Sequence, residues 1–177
     1  MNLIDSIKQN ASLNFTGVVN ILDKNTRQFL GSVLMMDGKI TGARFGKMRG
    51  LDAITEIVIR EQEGDEIAIV NEPEVILISS LRRELDIEEF KQLASQSYQS
   101  YLQTKRLSPP KNLKLLLDSN FIIEGEDLSE LEFQVLKCLS DDPNISSVYE
   151  QLEYSKHMID MALIQLRRKK AVRVINK

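Results

Sequence analysis

The sequence predicts an α+β fold: an antiparallel sheet with packed helices, then a linking helix, then a small winged-helix-like (helix-turn-helix) domain. Three stretches carry this reading. Residues 28–36 and 39–45 are apolar, β-prone runs joined by Asp37-Gly38. Asp-Gly between such runs signals a hairpin, because a type I′ turn needs φ > 0 at both central positions. Ser108-Pro109-Pro110 stops a long amphipathic helix. From Ser129 onward the pattern is helix, short helix, turn, helix, strand, the order of a helix-turn-helix with the start of a wing. The 177 residues therefore divide into 1–80, 81–110 and 111–177.

Taken in order, Leu3, Ile4, Ile7 and Ala11 recur at helical spacing and predict a helix over 2–12. Asn14-Phe15-Thr16-Gly17 breaks it. Residues 17–22 are rich in Val and Ile and predict the first strand, and Asp23 to Thr26 a turn. The hairpin supplies strands two and three, and Gly46 and Gly50 punctuate a loop. Residues 51–62 form a helix with Leu51, Ile54, Ile57 and Val58 inward and Asp52, Glu56 and Arg60 toward solvent. Residues 66–70 are a compact β-branched strand, and Asn71-Glu72-Pro73-Glu74 is a break. The apolar run 75–81 fits either a strand or a first helical turn.

A longer helix follows over 86–105, N-capped by Asp86, with Glu88 and Glu89 favoured in its first turn by the helix dipole. Its apolar stripe is Ile87, Phe90, Leu93, Ala94, Tyr98, Tyr101 and Leu102. Residues 113–117 are apolar, and 120–123 read as a short extended piece. Ser129 and Glu132 form an S-x-x-E capping box ahead of a helix carrying Leu131, Val135, Leu136, Cys138 and Leu139. Residues 146–152 are a short helix with Val148 and Leu152 inward. Ser155 caps a third helix with Ile159, Ala162, Leu163 and Leu166 inward, and 171–175 is a strand.

Several of these stretches, in order, resemble a known family. Phe15-Thr16-Gly17 leads into a strand. Asp37-Gly38-Lys39-Ile40, with Ala43, follows a strand ending in apolar residues. Gly50-Leu51-Asp52-Ala53 opens a helix that a short strand closes. Over roughly its first 80 residues the chain is similar to the PATAN family, the domain at the amino terminus of PatA-type bacterial response regulators. The resemblance implies a non-enzymatic signalling and protein-interaction module. No receiver domain accompanies it here, so phosphorylation on an Asp is not implied. Residues 111–177 resemble winged-helix domains in general.

Composition limits the function classes. Charged residues make up 28% and the apolar set 42%, enough for a packed core. The net charge is −3, with −3 in residues 1–80, −1 in 81–127 and +1 in 128–177. A general nucleic-acid or membrane-surface coat would show a clear basic excess. Cys138 is the single cysteine, which excludes an intramolecular disulfide and a cysteine-based metal site. No run approaches the roughly 18 apolar residues of a membrane span, and no leader-like segment opens the chain. A cytoplasmic, soluble protein is expected.

No catalytic constellation emerges, so no enzyme, cofactor or metal is expected. Cys138 sits on an apolar face and reads as a buried, inert thiol. His157 is the single histidine, expected on the outer side of its helix and without partners for a triad or metal cluster. The acidic runs at 61–66 and 124–127 lack EF-hand spacing and read as solvated turns. Met36, Phe45, Met48 and Arg49 are the candidate protein-contact residues. Met35 and Met36 alternate to opposite faces. The leading expectation is a non-catalytic bacterial signalling or regulatory adaptor that binds proteins. The alternative is a DNA-binding regulator using Lys156, His157, Arg167 and Arg168. Against that alternative, basic groups at a helix C-terminus offset its dipole, and Asp160 one turn past Lys156 would repel phosphate. The 86–105 helix is wide enough in apolar residues to pair with a second copy, although packing on its own domain is the commoner use.

Overall fold

In the computed structural model, which describes residues 2–76, 83–124 and 127–175 with the side chains of 122–124 excepted, the chain divides into two units, Met1–Ser100 and Tyr101–Lys177. The first holds α1 (Leu3–Ser12), β1 (Gly17–Asp23), β2 (Phe29–Met36), β3 (Lys39–Phe45), β4 (Met48–Arg49), α2 (Gly50–Gln62) and β5 (Ile67–Pro73). It also holds most of α3 (Ile87–Leu107), whose residues after Ser100 fall in the second unit. The strands form one antiparallel sheet in the order β4-β3-β2-β1-β5. Among the described residues no helix is long and apolar enough to cross a membrane.

The Asp37-Gly38 turn forms as its residues dictate, with φ of 49° and 77°. It is also clasped from outside its own hairpin. The Asp37 N–H donates to the Thr16 hydroxyl at 2.9 Å, and the Gly38 N–H donates to the Phe15 carbonyl at 3.0 Å. A Cβ at Gly38 would stand 2.8 Å from the Ala11 carbonyl oxygen, so glycine is required both for φ and for room. Phe15-Thr16-Gly17 and Asp37-Gly38, separate motifs in the sequence, are one structural joint.

Inward residues of the sheet (Val19, Ile21, Val33, Met35, Ala43) meet Ile54 and Ile57 of α2 and Phe90 and Ala94 of α3 in one core. The helix expected as a linker is therefore built into the first unit along its first turns. Asp86 caps it, accepting from the Glu89 N–H at 2.8 Å. Leu85 just before it exchanges two backbone hydrogen bonds with Ile40, each 2.9 Å.

Several elements differ from the sequence expectation. Helix α1 buries Leu3, Ser6, Ile7 and Asn10, whereas Ile4 and Ala11 are half-buried. Ser6 and Asn10 can go inside because both donate to the Asn71 side-chain oxygen on β5, at 3.2 and 3.0 Å. The loop after Phe45 is a second tight hairpin, with Gly46 at φ 54° and Phe45 paired to Met48. Leu51 is 48% exposed, because the buried arc of α2 centres on Ala53 and Ile57. Strand β5 runs through the expected break to Pro73, which an edge strand tolerates at its end. Of the ambiguous run 75–81, residues 77–81 lie outside the described residues.

The second unit contains the end of α3 followed by β6 (Leu115–Leu117), α4 (Ser119–Glu124), α5 (Glu130–Asp141), α6 (Ile145–Gln151), α7 (Lys156–Arg168) and β7 (Val172–Val174). The Ser129–Glu132 capping box is complete, each side chain bonding the other residue's backbone N–H. Ser155 accepts from the Met158 N–H and starts α7. The piece expected to be extended at 120–123 is instead α4. Asp118 turns the chain there by accepting from the Asn120 N–H at 3.0 Å, and Phe121 anchors the turn in the core. The expected start of a wing is, among the described residues, β7 alone, paired back to β6.

Replacing Gly38 by Ala should destabilise the first unit by about 1–3 kcal/mol, from backbone strain and the clash with Ala11. Chemical denaturation of the full chain checks this; an unchanged midpoint would show that the turn is not clasped.

Candidate functional site

The chemistry of helix α7, the helix expected to carry the DNA-contact candidates, is decided at Asp160. This carboxylate is only 2% exposed. It accepts from the Ser108 hydroxyl at 2.6 Å, from the Lys156 ammonium at 2.8 Å, and from the Tyr149 hydroxyl. Lys156 also donates to Ser108 at 2.8 Å and lies over the Tyr149 ring. The Tyr149 hydroxyl is pushed well above the usual tyrosine range by burial and then by the carboxylate it donates to. A serine beside a lysine invites comparison with a Ser–Lys nucleophile pair. That pair needs a lysine with a free lone pair, whereas this ammonium is engaged in an ion pair and Ser108 spends its own proton on Asp160. The cluster is a clamp joining three segments of the second unit.

His157 is not on the outer side of α7. It is 7% exposed, and its ring meets Tyr101 edge-on with centroids 5.5 Å apart. The end of α3 covers the first turn of α7, which a single-helix projection of α7 does not reveal. Of the basic run after it, Lys169 reaches back to Glu132 at 3.0 Å and to the Asp127 carbonyl at 2.8 Å. Arg167 and Arg168 are exposed, and neither meets a carboxylate among the described residues. The start of α7, where a DNA reader concentrates its base contacts, thus offers a spent lysine and a buried histidine.

Arg167 and Arg168 instead stand beside an apolar groove of about 330 Å³ within the second unit. Its walls come from Leu107 and Pro109 at the exit of α3, Leu113, Ile164 of α7, and Val172 and Val174 of β7. The exposed side of α7 continues with Met161, 38% exposed. Helical periodicity assigns this helix only its inward stripe, Ile159, Ala162, Leu163 and Leu166. Met161 and Ile164, three apart and outside that stripe, were the available signal for a second apolar face.

In the first unit, the candidate contact residues do not form one patch. Phe45 is 7% exposed, a core residue whose ring carries the Arg60 guanidinium at 5.1 Å. It points inward because strand alternation sets it in line with Val33 and Ala43. Met48 is half-buried against the same core and Arg49 is exposed. Met36, half-buried, pairs with Lys39 at the opposite end of β3 from Phe45, about 20 Å away at ~3.4 Å per residue. Met35 and Met36 do take opposite sides, Met35 fully buried. Arg49 lies at an open groove of about 550 Å³ with Leu51, Asp52, Leu93 and the Arg83–Glu89 ion pair (2.6 Å). Burial raises the Asp52 carboxyl. The groove is of mixed charge, and among the described residues no polar set converges in it.

Cys138 is buried, and burial pushes its thiol up, so it is a poor nucleophile. Among the described residues no three His, Cys, Asp or Glu side chains converge to hold a metal ion. No family model matches the chain, and no curated protein or solved structure matches it.

Two outcomes follow. Asp160→Asn should cost about 2–3 kcal/mol, since charged hydrogen bonds are lost while Lys156 regains water and the amide oxygen keeps one donor. Thermal unfolding of the full chain measures it, and no loss would mean the clamp is idle. Glu132 gives a pH signature. Burial raises its carboxyl, but the Ser129 backbone and hydroxyl and Lys169 outweigh burial and hold it below the ordinary 4.5. Its stabilisation is therefore present above pH 4.5 and is lost as pH falls through the lower folded value. Glu132→Gln should flatten the acid limb of the stability curve, and an unchanged limb would contradict the coupling.

Proposed function

We propose that the protein is a non-catalytic signalling or regulatory adaptor that acts by docking other proteins. The observation that carries this reading is the exposed side of α7. It presents Met161, Ile164 and the apolar groove to solvent, while the cation at its N-terminus is spent on Asp160. A surface that reads phosphates needs free cations in number, since each contact adds to affinity. A surface that binds protein needs accessible apolar area with a few placed charges, which is what α7 and its surroundings offer. The resemblance of roughly the first 80 residues to the PATAN family supports a bacterial signalling setting.

A DNA-binding regulator is the second reading, favoured by Arg167, Arg168 and the exposed Lys170. These cluster at the C-terminal end of α7, where they complement the helix dipole, rather than at the end that enters a groove.

Fluorescence anisotropy of the full chain with mixed-sequence duplex DNA, at low and then moderate salt, separates the two. The expected result is no saturable binding. Micromolar or tighter binding that weakens with salt and disappears in the Arg167→Glu/Arg168→Glu variant would overturn the adaptor reading in favour of DNA recognition.

A further inference from the structure

We propose that the groove between α7, β7 and the exit of α3 docks an acidic, apolar segment of a partner protein. In this arrangement large aliphatic or aromatic side chains fill the groove and neighbouring carboxylates meet Arg167 and Arg168. This deepens the adaptor reading and rests on it.

Three observations lead here. First, the groove is lined by aliphatic side chains and a proline, with two arginines as its charged members. At about 330 Å³ it suits a few large side chains rather than a folded domain. Second, the two guanidiniums are uncommitted among the described residues, unlike Lys156 and Lys169, which are held by Asp160 and Glu132. Third, they are not needed to finish α7. The carbonyls of Gln165, Leu166 and Arg167 already accept from the backbone N–H groups of Lys169, Ala171 and Lys170, at 2.9, 2.9 and 3.1 Å. Two exposed forks of donors beside an apolar floor match carboxylates set among apolar residues, because a guanidinium pairs with a carboxylate in a bidentate, oriented way. A nucleic-acid backbone would satisfy the arginines and leave the groove empty. A basic peptide would fill the groove and meet repulsion at its rim.

The test uses the full chain and a fluorescein-labelled peptide alternating pairs of leucine with aspartate or glutamate. Companion peptides carry lysine in place of the acids, or serine in place of leucine. The acidic leucine peptide should bind in the micromolar range, and both companions at least about tenfold more weakly. Arg167→Glu/Arg168→Glu changes two exposed side chains, and its fold is checked by thermal unfolding. It should lose the acidic peptide by about tenfold or more and gain the lysine peptide. Ile164→Ser should weaken the acidic peptide with the arginines intact. Absence of binding by the acidic peptide, equal binding by the serine peptide, or binding that charge reversal leaves unchanged would each overturn the proposal. So would decanoate displacing the peptide at lower concentration than the peptide itself, which would make the groove a site for small alkyl carboxylates. If the peptide fails while duplex DNA also fails to bind, this groove is not the docking site and the adaptor reading stands. If DNA binds instead, that reading fails with it.

Discussion

Asp160 is a carboxylate almost without access to water, and a charge so placed has to be met by donors from its surroundings. Three different segments of the second unit supply them: Ser108 after α3, Tyr149 of α6 and Lys156 of α7. Their convergence fixes how α7 sits within the second unit and which of its sides stays open. It also ties the exposed Lys156 ammonium into an ion pair with Asp160. A segment that looks suited to nucleic acid by its order of elements thereby acquires an apolar exposed side, with its uncommitted arginines displaced to the far end.

The first unit is governed by a different constraint. An antiparallel sheet with one layer of helices must seal the ends of its hairpins as well as its face. The Thr16 hydroxyl and the Phe15 carbonyl hold the Asp37-Gly38 turn against the end of α1, and Asn71 satisfies the two polar residues that α1 buries. The polar groups of that arrangement are engaged with one another.

Much of this was legible in the sequence because local chemistry decides it. Asp37-Gly38, the Ser129–Glu132 box, the Asp86 and Ser155 caps and the inward stripes of α5 and α7 depend on residues only a few positions apart. What escaped detection depends on partners distant in the chain. Ser6 and Asn10 are polar, and only Asn71 makes their burial affordable. His157 looks solvent-facing until Tyr101 covers it. Phe45 reads as a contact candidate at the end of its strand until alternation across the sheet turns its ring into the core beside Val33 and Ala43. The groove beside Arg167 and Arg168 draws on residues from 107 to 174, a spread that no periodicity within one helix can show. The short run 120–123 has the apolar character of a strand, and Asp118 tips it into a helix.

The sheet order carries a consequence for how the first unit is made. Strand β1, one in from the sheet edge, has β2 on one side, close in the chain, and β5 on the other, about fifty positions away in register with it. The β1–β2–β3 meander can close over short loops, whereas β5 must find its place after a long one, and closing longer loops costs more entropy. During synthesis the meander can therefore assemble while β1 still has a bare edge and Ser6 and Asn10 still lack Asn71. The arrival of Ile67–Pro73 covers that edge and satisfies those polar groups in one step, so commitment to the native state is tied to a strand made late. Until then the nascent chain exposes an unpaired, Val- and Ile-rich edge of the kind that can pair with another chain.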